Sequence, residues 1–217
     1  MSKPYLSAIY FIAAAVLLSG CQSAYYKTME TFGKHKRDIL VSRVGNARDA
    51  QEEAKEQFQS ALEKFTSVVN VPGSKLQYKY YELKGELDHS ETKAQAVSKR
   101  IADVESVAED LFDEWQTELD KYTDRDLRRT SAQKLKETQA QYEQLIGAMK
   151  QAEKKIEPVL SAFRDQVLFL KHNLNAQAVA SLQDELVSIE SNVAALVKEM
   201  NASIAEANTF ISSMGTE

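Results

Sequence analysis

The 217-residue chain contains little glycine, proline or cysteine, with 7, 3 and 1 of each. Barrels, sandwiches and doubly wound sheets need frequent turns, which glycine and proline supply, so their scarcity excludes these folds and favours long helices. A single cysteine excludes an intrachain disulfide and any multi-cysteine metal site. The net charge of −5 excludes the basic excess that is typical of nucleic-acid-binding proteins.

Sequence motifs of the common enzyme classes are also missing. The chain has no HExxH, no phosphate-binding GxxxxGK[ST], no GxGxxG and no GxSxG. Its three histidines, His35, His89 and His172, fall in three different predicted helices, where we expect solvated surface side chains. We therefore predict no enzymatic activity, no cofactor and no metal site.

The first twenty residues differ from the rest. After Lys3, residues 8–18 form an uncharged apolar run. This run is too short to span a bilayer, which takes about 20 helical residues, but it has the length of a signal-peptide core. The sequence Leu18-Ser19-Gly20-Cys21 follows it and resembles the bacterial lipobox. The resemblance implies cleavage between Gly20 and Cys21 and acylation of Cys21.

These features predict a signal peptide at 1–20, a lipidated linker at 21–26 and one helical domain at 27–217. Two or three acyl chains on one residue hold a protein firmly on a membrane. The residue after Cys21 is Gln22 and not the aspartate that favours inner-membrane retention. We therefore expect the chain on the inner leaflet of the outer membrane, facing the periplasm.

Beyond the linker, apolar residues recur at alternating steps of three and four. This 3.5-residue period predicts helices that pack along a supercoiled seam. The seams run from Val44 to Val68, from Leu76 to Tyr122, from Leu135 to Phe163 and from Leu182 to Phe210. Aromatic seam residues such as Trp115 are expected in the core. The polar seam residues, which we expect to set the helix register, are Gln51, Ser90, Glu118, Thr138 and Ser203.

Local breaks divide the helices. Pro72-Gly73 ends the first helix, Thr123 or Asp124 caps the start of the third, and Asn173 or Asn175 caps the start of the fourth. Pro158 lies inside the third series, where it either kinks or ends that helix. The predicted helices lie near 27–70, 75–122, 126–172 and 176–212. Because short turns make successive helices antiparallel, we expect an all-α, elongated up-down bundle of four helices.

The charges support this arrangement. Residues 103–120 carry eight acidic and no basic side chains. Folding back at residue 124 brings basic residues of the third helix alongside them, and folding at residue 72 does the same for the first helix. Two basic groups come to the membrane-proximal end, where they are candidate contacts for lipid headgroups: Lys34, Lys36, Arg37, Arg125, Arg128 and Arg129.

Together, the lipobox, Pro72-Gly73, the segment 111–115 (LFDEW) and the segments 158–160 and 167–175 carry a family resemblance. The chain is similar to a group of uncharacterised gammaproteobacterial lipoproteins that are known only as a domain of unknown function. The resemblance implies a lipid-anchored helical protein and supplies no activity. A DNA-repair ATPase description given to some relatives conflicts with the missing phosphate loop.

We therefore expect a structural spacer, scaffold or adaptor in the periplasm. Its partners would be membrane lipid through Cys21 and either an unknown envelope protein or a second copy of the chain, with no nucleic acid. Such partners would meet the turns near 72 and 174 or an outer helix face. The alternative is a regulator or inhibitor that binds one cell-envelope enzyme.

Overall fold

The computed structural model describes residues 36–68, 76–173 and 176–215. Four α-helices cover nearly all of these residues. They are α1 (Lys36–Val68), α2 (Leu76–Leu119), α3 (Arg125–His172) and α4 (Ala176–Gly215). No strand occurs in the described ranges, and the all-α prediction is confirmed.

The helices form a closed ring in chain order. Each packs against the next, and α4 packs against α1. Hydrogen bonds from Arg48 to Asn208 and from Lys55 to Asn201 show that α1 and α4 run in opposite directions. At 1.5 Å per residue, the 44 residues of α2 and the 48 of α3 are about 66 and 72 Å long. The predicted antiparallel bundle is therefore present.

The predicted seams form the core. In α1 every seam residue from Val44 to Val68 is buried. The seams of α3 and α4 are buried as well, except for Tyr142 and Leu186, which are half-buried. Burying these stripes stabilises the folded chain by about 25 cal/mol for each Å² of apolar surface that is removed from water. This is the main stabilising contribution to such a bundle.

The heptad pattern predicts the wrong buried residues at the end of α2. Glu118 and Tyr122 are exposed, Leu119 is buried in their place, and Trp115 is half-buried. The described part of α1 begins at Lys36, whose ammonium contacts the Glu114 carboxylate at 3.0 Å. The heptad register predicted for α2 therefore does not hold in its last turn.

The helix ends agree with the predicted breaks at one position and differ at another. Asp124, and not Thr123, caps α3: its carboxylate accepts the backbone N–H groups of Asp126 at 2.8 Å and Leu127 at 3.1 Å. Asn173 ends α3 and does not begin α4, because its backbone N–H bonds to the Leu170 carbonyl at 3.3 Å. Asn175 and the Pro72-Gly73 turn lie outside the described residues.

Pro158 does not end the helix, because α3 continues to His172. Proline lacks an N–H, so the carbonyl of Lys154 loses its usual helical donor. Both residues are exposed. Water can therefore solvate that carbonyl, which explains why the helix tolerates proline here.

Candidate functional site

The described side chains give no sign of a metal or histidine centre. His89 and His172 are both exposed, on α2 and at the end of α3, and His35 lies outside the described residues. In the ranges that the structure covers, no group of three or more His, Cys, Asp or Glu residues is placed to hold a metal ion. The exposed histidines agree with the surface role expected from the sequence.

The groove between α2 and α3 collects carboxylates around one arginine. It has a volume of about 650 Å³ and is lined by Glu91, Glu157 and Arg164 among others. Arg164 Nη2 lies 2.8 Å from the Glu91 carboxylate, and Nη1 lies 3.2 Å from that of Glu157. Hydrogen bonds to Glu91 and then Glu157 raise the pKa of the arginine. The Glu91 and Glu157 carboxylates are paired with Arg164, which joins the two helices across the groove, and Glu153 also lines it.

No sequence motif marks the arginine clamp, which Arg164 forms with Glu91 and Glu157. Arg164 and Glu157 are seven residues apart, which places them on one face of α3. The pairing with Glu91 depends on the register between α2 and α3, which the turn between them sets. The seven-residue spacing was therefore the one available signal.

The candidate headgroup contacts are not gathered into one patch. Lys36 contacts Glu114 and lies 3.5 Å from the Asp110 carbonyl, while Arg37 donates to the Met214 carbonyl at 2.5 Å. Both side chains therefore tie α1 to its neighbours. Lys34 lies outside the described residues.

The arginines of the second group lie at the tip of the α2–α3 hairpin. Residues 121–130 are all exposed, and α2 continues for five residues beyond Glu114 to Leu119, a distance of about 7.5 Å along the helix. Arg128 pairs with Asp120 at 2.7 Å and Arg129 lies 3.6 Å from Asp126. Residues 118–130 contain four acidic and four basic side chains. The tip therefore carries no net charge. Arg125 is one of its exposed side chains.

The predicted pairing of the acidic segment 103–120 with basic neighbours is present for three of its eight acidic residues in the ion pairs described. Besides the pairs of Lys36 and Arg128, Lys150 on α3 pairs with Glu105 on α2. Arg48 behaves differently from the expectation, because its guanidinium bonds to Asp49 and to Asn208 of α4. The ion pairs are partly exposed, so they select the register of the helices more than they stabilise it.

The four polar seam residues that are buried fall into two classes, whereas Glu118 is exposed. Ser90 and Thr138 donate to the carbonyls four residues earlier, of Glu86 and Lys134, at 2.7 and 2.9 Å. Gln51 and Ser203 are fully buried, and neither the Gln51 amide nor the Ser203 hydroxyl bonds to any residue that the structure describes.

Gln51 and Ser203 lie at the same level of the bundle. The Arg48–Asn208 and Lys55–Asn201 hydrogen bonds bracket them on α1 and α4. Burying an unpaired amide or hydroxyl costs free energy that an apolar side chain would not. The two buried polar side chains at this level therefore lower the stability of the core.

Of the seven large hydrophobic side chains that are exposed in the described ranges, Tyr122 and Leu127 lie at the hairpin tip and the other five lie toward the end of the bundle opposite Lys36. Tyr78 and Tyr81 near the start of α2 are 65% and 62% exposed, and Val187 on α4 is 74% exposed. Leu168 and Phe169 near the end of α3 are exposed as well. A second groove, about 640 Å³ in volume, lies between α1 and α4, with Leu62, Ala194 and Val197 in its lining. We call it the α1–α4 groove.

The predicted acylation and cleavage residues, Cys21 and Gly20, lie outside the described residues. Within the described ranges, no helix has both the length and the apolar composition needed to cross a membrane.

Comparison with known proteins supports the family resemblance at a general level. No curated protein was found that matches the chain. A family model described as "Protein of unknown function (DUF2959)" matches residues 25–214. This match covers most of the chain, which therefore belongs to the DUF2959 family of proteins of unknown function.

Proposed function

We propose that the chain is an outer-membrane-anchored periplasmic lipoprotein that acts as a structural spacer, scaffold or adaptor. The observation that carries this proposal is the rod formed by α2 and α3, about 66 and 72 Å long. A rod of this length holds its two ends in separate parts of the envelope. The lipobox-like Leu18-Ser19-Gly20-Cys21 supports an anchor at the Lys36 end.

The two ends of the rod also differ in surface chemistry. The hairpin tip at residues 118–130 exposes Tyr122 and Leu127 among eight charged side chains. The opposite end exposes Tyr78, Tyr81 and Leu168. Exposed aromatic side chains are common at protein–protein interfaces. This asymmetry supports an adaptor that is fixed at one end and meets its partner at the other.

The anchor is tested by fractionating cells that express the full chain or Cys21→Ala. Acylated protein stays in the membrane fraction after a high-salt wash, because salt does not weaken acyl-chain insertion. Cys21→Ala is expected in the soluble fraction. If the variant remains on the membrane after the wash, the proposal that acylated Cys21 anchors the chain is wrong.

Two further variants separate the sources of membrane binding. Arg125→Ala/Arg129→Ala is the matched control for headgroup contact and should leave the fractionation unchanged. Gln22→Asp tests the choice of membrane. On a density gradient it should move the protein from the outer-membrane to the inner-membrane fraction if residue 22 directs sorting.

Proximity labelling from both ends tests the spacer. The C-terminal end of α4 lies near Lys36, because Arg37 donates to the Met214 carbonyl. Residue 173, at the end of α3, lies at the opposite end of the bundle. A spacer or scaffold labels different sets of envelope proteins from the two positions. A regulator labels one enzyme at constant stoichiometry from either position, which would favour the alternative.

A further inference from the structure

The helix α4 is unusual among the four because it carries few charges. Lys, Arg, Asp or Glu occupy six of its 40 positions, against twelve of 33 in α1. The six are Asp184, Glu185, Glu190, Lys198, Glu199 and Glu206. A solvent-exposed helix face usually carries many charges, so this composition indicates a face that is covered by another surface.

The sparsely charged face of α4 borders the α1–α4 groove. Ala194 is exposed and Val197 and Leu62 are half-buried in the groove lining. Val187 lies one turn before Glu190 and is 74% exposed. The small side chain at Ala194 leaves the backbone of α4 open to close approach by a second helix.

The two charges in the groove on α4 are Glu190 and Lys198. Both are exposed, and neither pairs with another residue in the part of the chain that the structure describes. They lie four residues before and four residues after Ala194. A two-fold axis through Ala194, perpendicular to α4, therefore places Glu190 of each copy opposite Lys198 of the other.

We infer that this face binds a second copy of the chain, with the two α4 helices antiparallel about a two-fold axis at Ala194. The contact is isologous, as is usual for homodimers. It forms the Glu190–Lys198 pair twice and brings Val187 opposite Asn201 of the other copy. It also brings Lys198 of the second copy to the groove, whose lining contains Glu63 as well as Glu190. The dimer does not depend on the proposed anchor or spacer role.

Disulfide trapping tests the axis. Full-length chains carry Cys21→Ser, so that an introduced cysteine is the only thiol, and whole cells are oxidised before non-reducing electrophoresis. Ala194→Cys should form a homodimer, because facing cysteines on the axis come within the approximately 7 Å Cα separation that a disulfide needs. The matched control is Ala102→Cys, an exposed alanine on α2. Equal trapping of the two variants, or trapping of Ala194→Cys onto a different protein, would overturn the dimer.

A second trapping experiment tests the direction of the helices. Val187→Cys should stay monomeric when expressed alone. Chains with Val187→Cys should form a mixed disulfide with chains carrying Asn201→Cys. Trapping of Val187→Cys with itself indicates parallel helices and contradicts the antiparallel arrangement.

Charge reversal tests the pairing. In the Ala194→Cys background, Glu190→Lys or Lys198→Glu should each lower the dimer yield about fivefold, because each places like charges together twice. The double variant should restore the yield, since both pairs are rebuilt with reversed sign. Both residues are exposed, and circular dichroism checks that the variants remain helical. Reduced yield without restoration would reject the axis at Ala194.

Discussion

Phe65 and Phe163 stack face to face, with ring centroids 4.4 Å apart and 8° between the ring planes. They belong to α1 and α3, which are not neighbours in the ring of helices. The contact therefore crosses the diagonal of the bundle. Phe58 approaches the same ring of Phe163 at 6.5 Å. One side chain of α3 thus joins two turns of α1 through the centre of the core.

Phe163→Ala should lower the free energy of unfolding by about 3–5 kcal/mol, because it removes a buried ring and leaves a cavity on the bundle axis. Chemical denaturation followed by circular dichroism measures the change. Phe169→Ala is the control on the same helix, since Phe169 is 37% exposed, and it should cost much less. Equal losses would mean that the diagonal stack does not hold the core.

A double-mutant cycle isolates the stack itself. Phe65→Ala, Phe163→Ala and the double variant should give a coupling of about 0.5–1.5 kcal/mol, as expected for paired aromatic rings. Additive losses would show that the two rings fill space independently. The test requires all three variants to stay folded in the absence of denaturant.

Much of the core could be predicted from the heptad pattern. The α1 seam from Val44 to Val68 is buried throughout, because α1 has helices on two sides along its whole described length. The pattern failed at Glu118 and Tyr122. There Leu119 is buried in place of the periodic positions. A repeat in one helix does not specify which of its residues the neighbouring helices cover.

The surface sites were harder to predict for the same reason. The Arg164 clamp on Glu91 and the α1–α4 groove depend on the register between helices. Register follows from turn geometry and from the sum of many weak side-chain contacts, which no single spacing in the sequence reveals. The heptad position of Gln51 predicts a polar residue in the core, and its side chain is buried. That it lies level with Ser203, and that both lack a bonding partner among the described residues, required the assembled bundle.

Replacing Gln51 should stabilise the protein. Gln51→Met keeps a similar volume and removes a buried amide that bonds to no described residue, so we expect the free energy of unfolding to rise by about 1–2 kcal/mol. Thermal and urea denaturation measure the gain. Gln57→Met is the contrasting variant, because the Gln57 amide donates to the Glu86 carboxylate at 2.7 Å, and its loss should destabilise.

The same variant tests whether Gln51 sets the register of the bundle. A single polar core residue can specify one packing arrangement at a cost in stability. If Gln51→Met were more stable yet showed several conformers by NMR, the amide would have a specifying role. A destabilised Gln51→Met would contradict the prediction and indicate that the amide is satisfied in solution.

Trp115 and Ser131 close the hairpin between α2 and α3. The indole N–H donates to the Ser131 hydroxyl at 2.8 Å. Ser131→Ala should cost about 0.5–1.5 kcal/mol and loosen the hairpin tip. Trp115 is the only tryptophan, so its fluorescence reports on this tip alone. We expect a red-shifted emission in Ser131→Ala, and none in Ser161→Ala, an exposed serine of α3.

The Tyr142 hydroxyl should titrate at unusually high pH. Tyr142 is half-buried on α3, and its ring meets the edge of Phe112 on α2 with centroids 5.4 Å apart. Burial, followed by the charges of Glu105 and Glu109, raises the pKa of Tyr142 to about 12. Ultraviolet titration of the folded protein should therefore show one tyrosinate that appears near pH 12, and Tyr142→Phe should remove that step.

This shift makes stability depend on pH in a defined direction. The folded pKa of Tyr142 is above its ordinary value of 10, so the folded state binds this proton more tightly than the unfolded state does. The contribution of Tyr142 to stability is therefore full below pH 10 and falls as the pH rises from about 10 to 12. Tyr142→Phe cannot ionise, so it should lose less stability than the unaltered chain between pH 9 and pH 12. If Tyr142→Phe and the unaltered chain lost equal stability over this range, the Tyr142 hydroxyl would be solvated as in the unfolded chain.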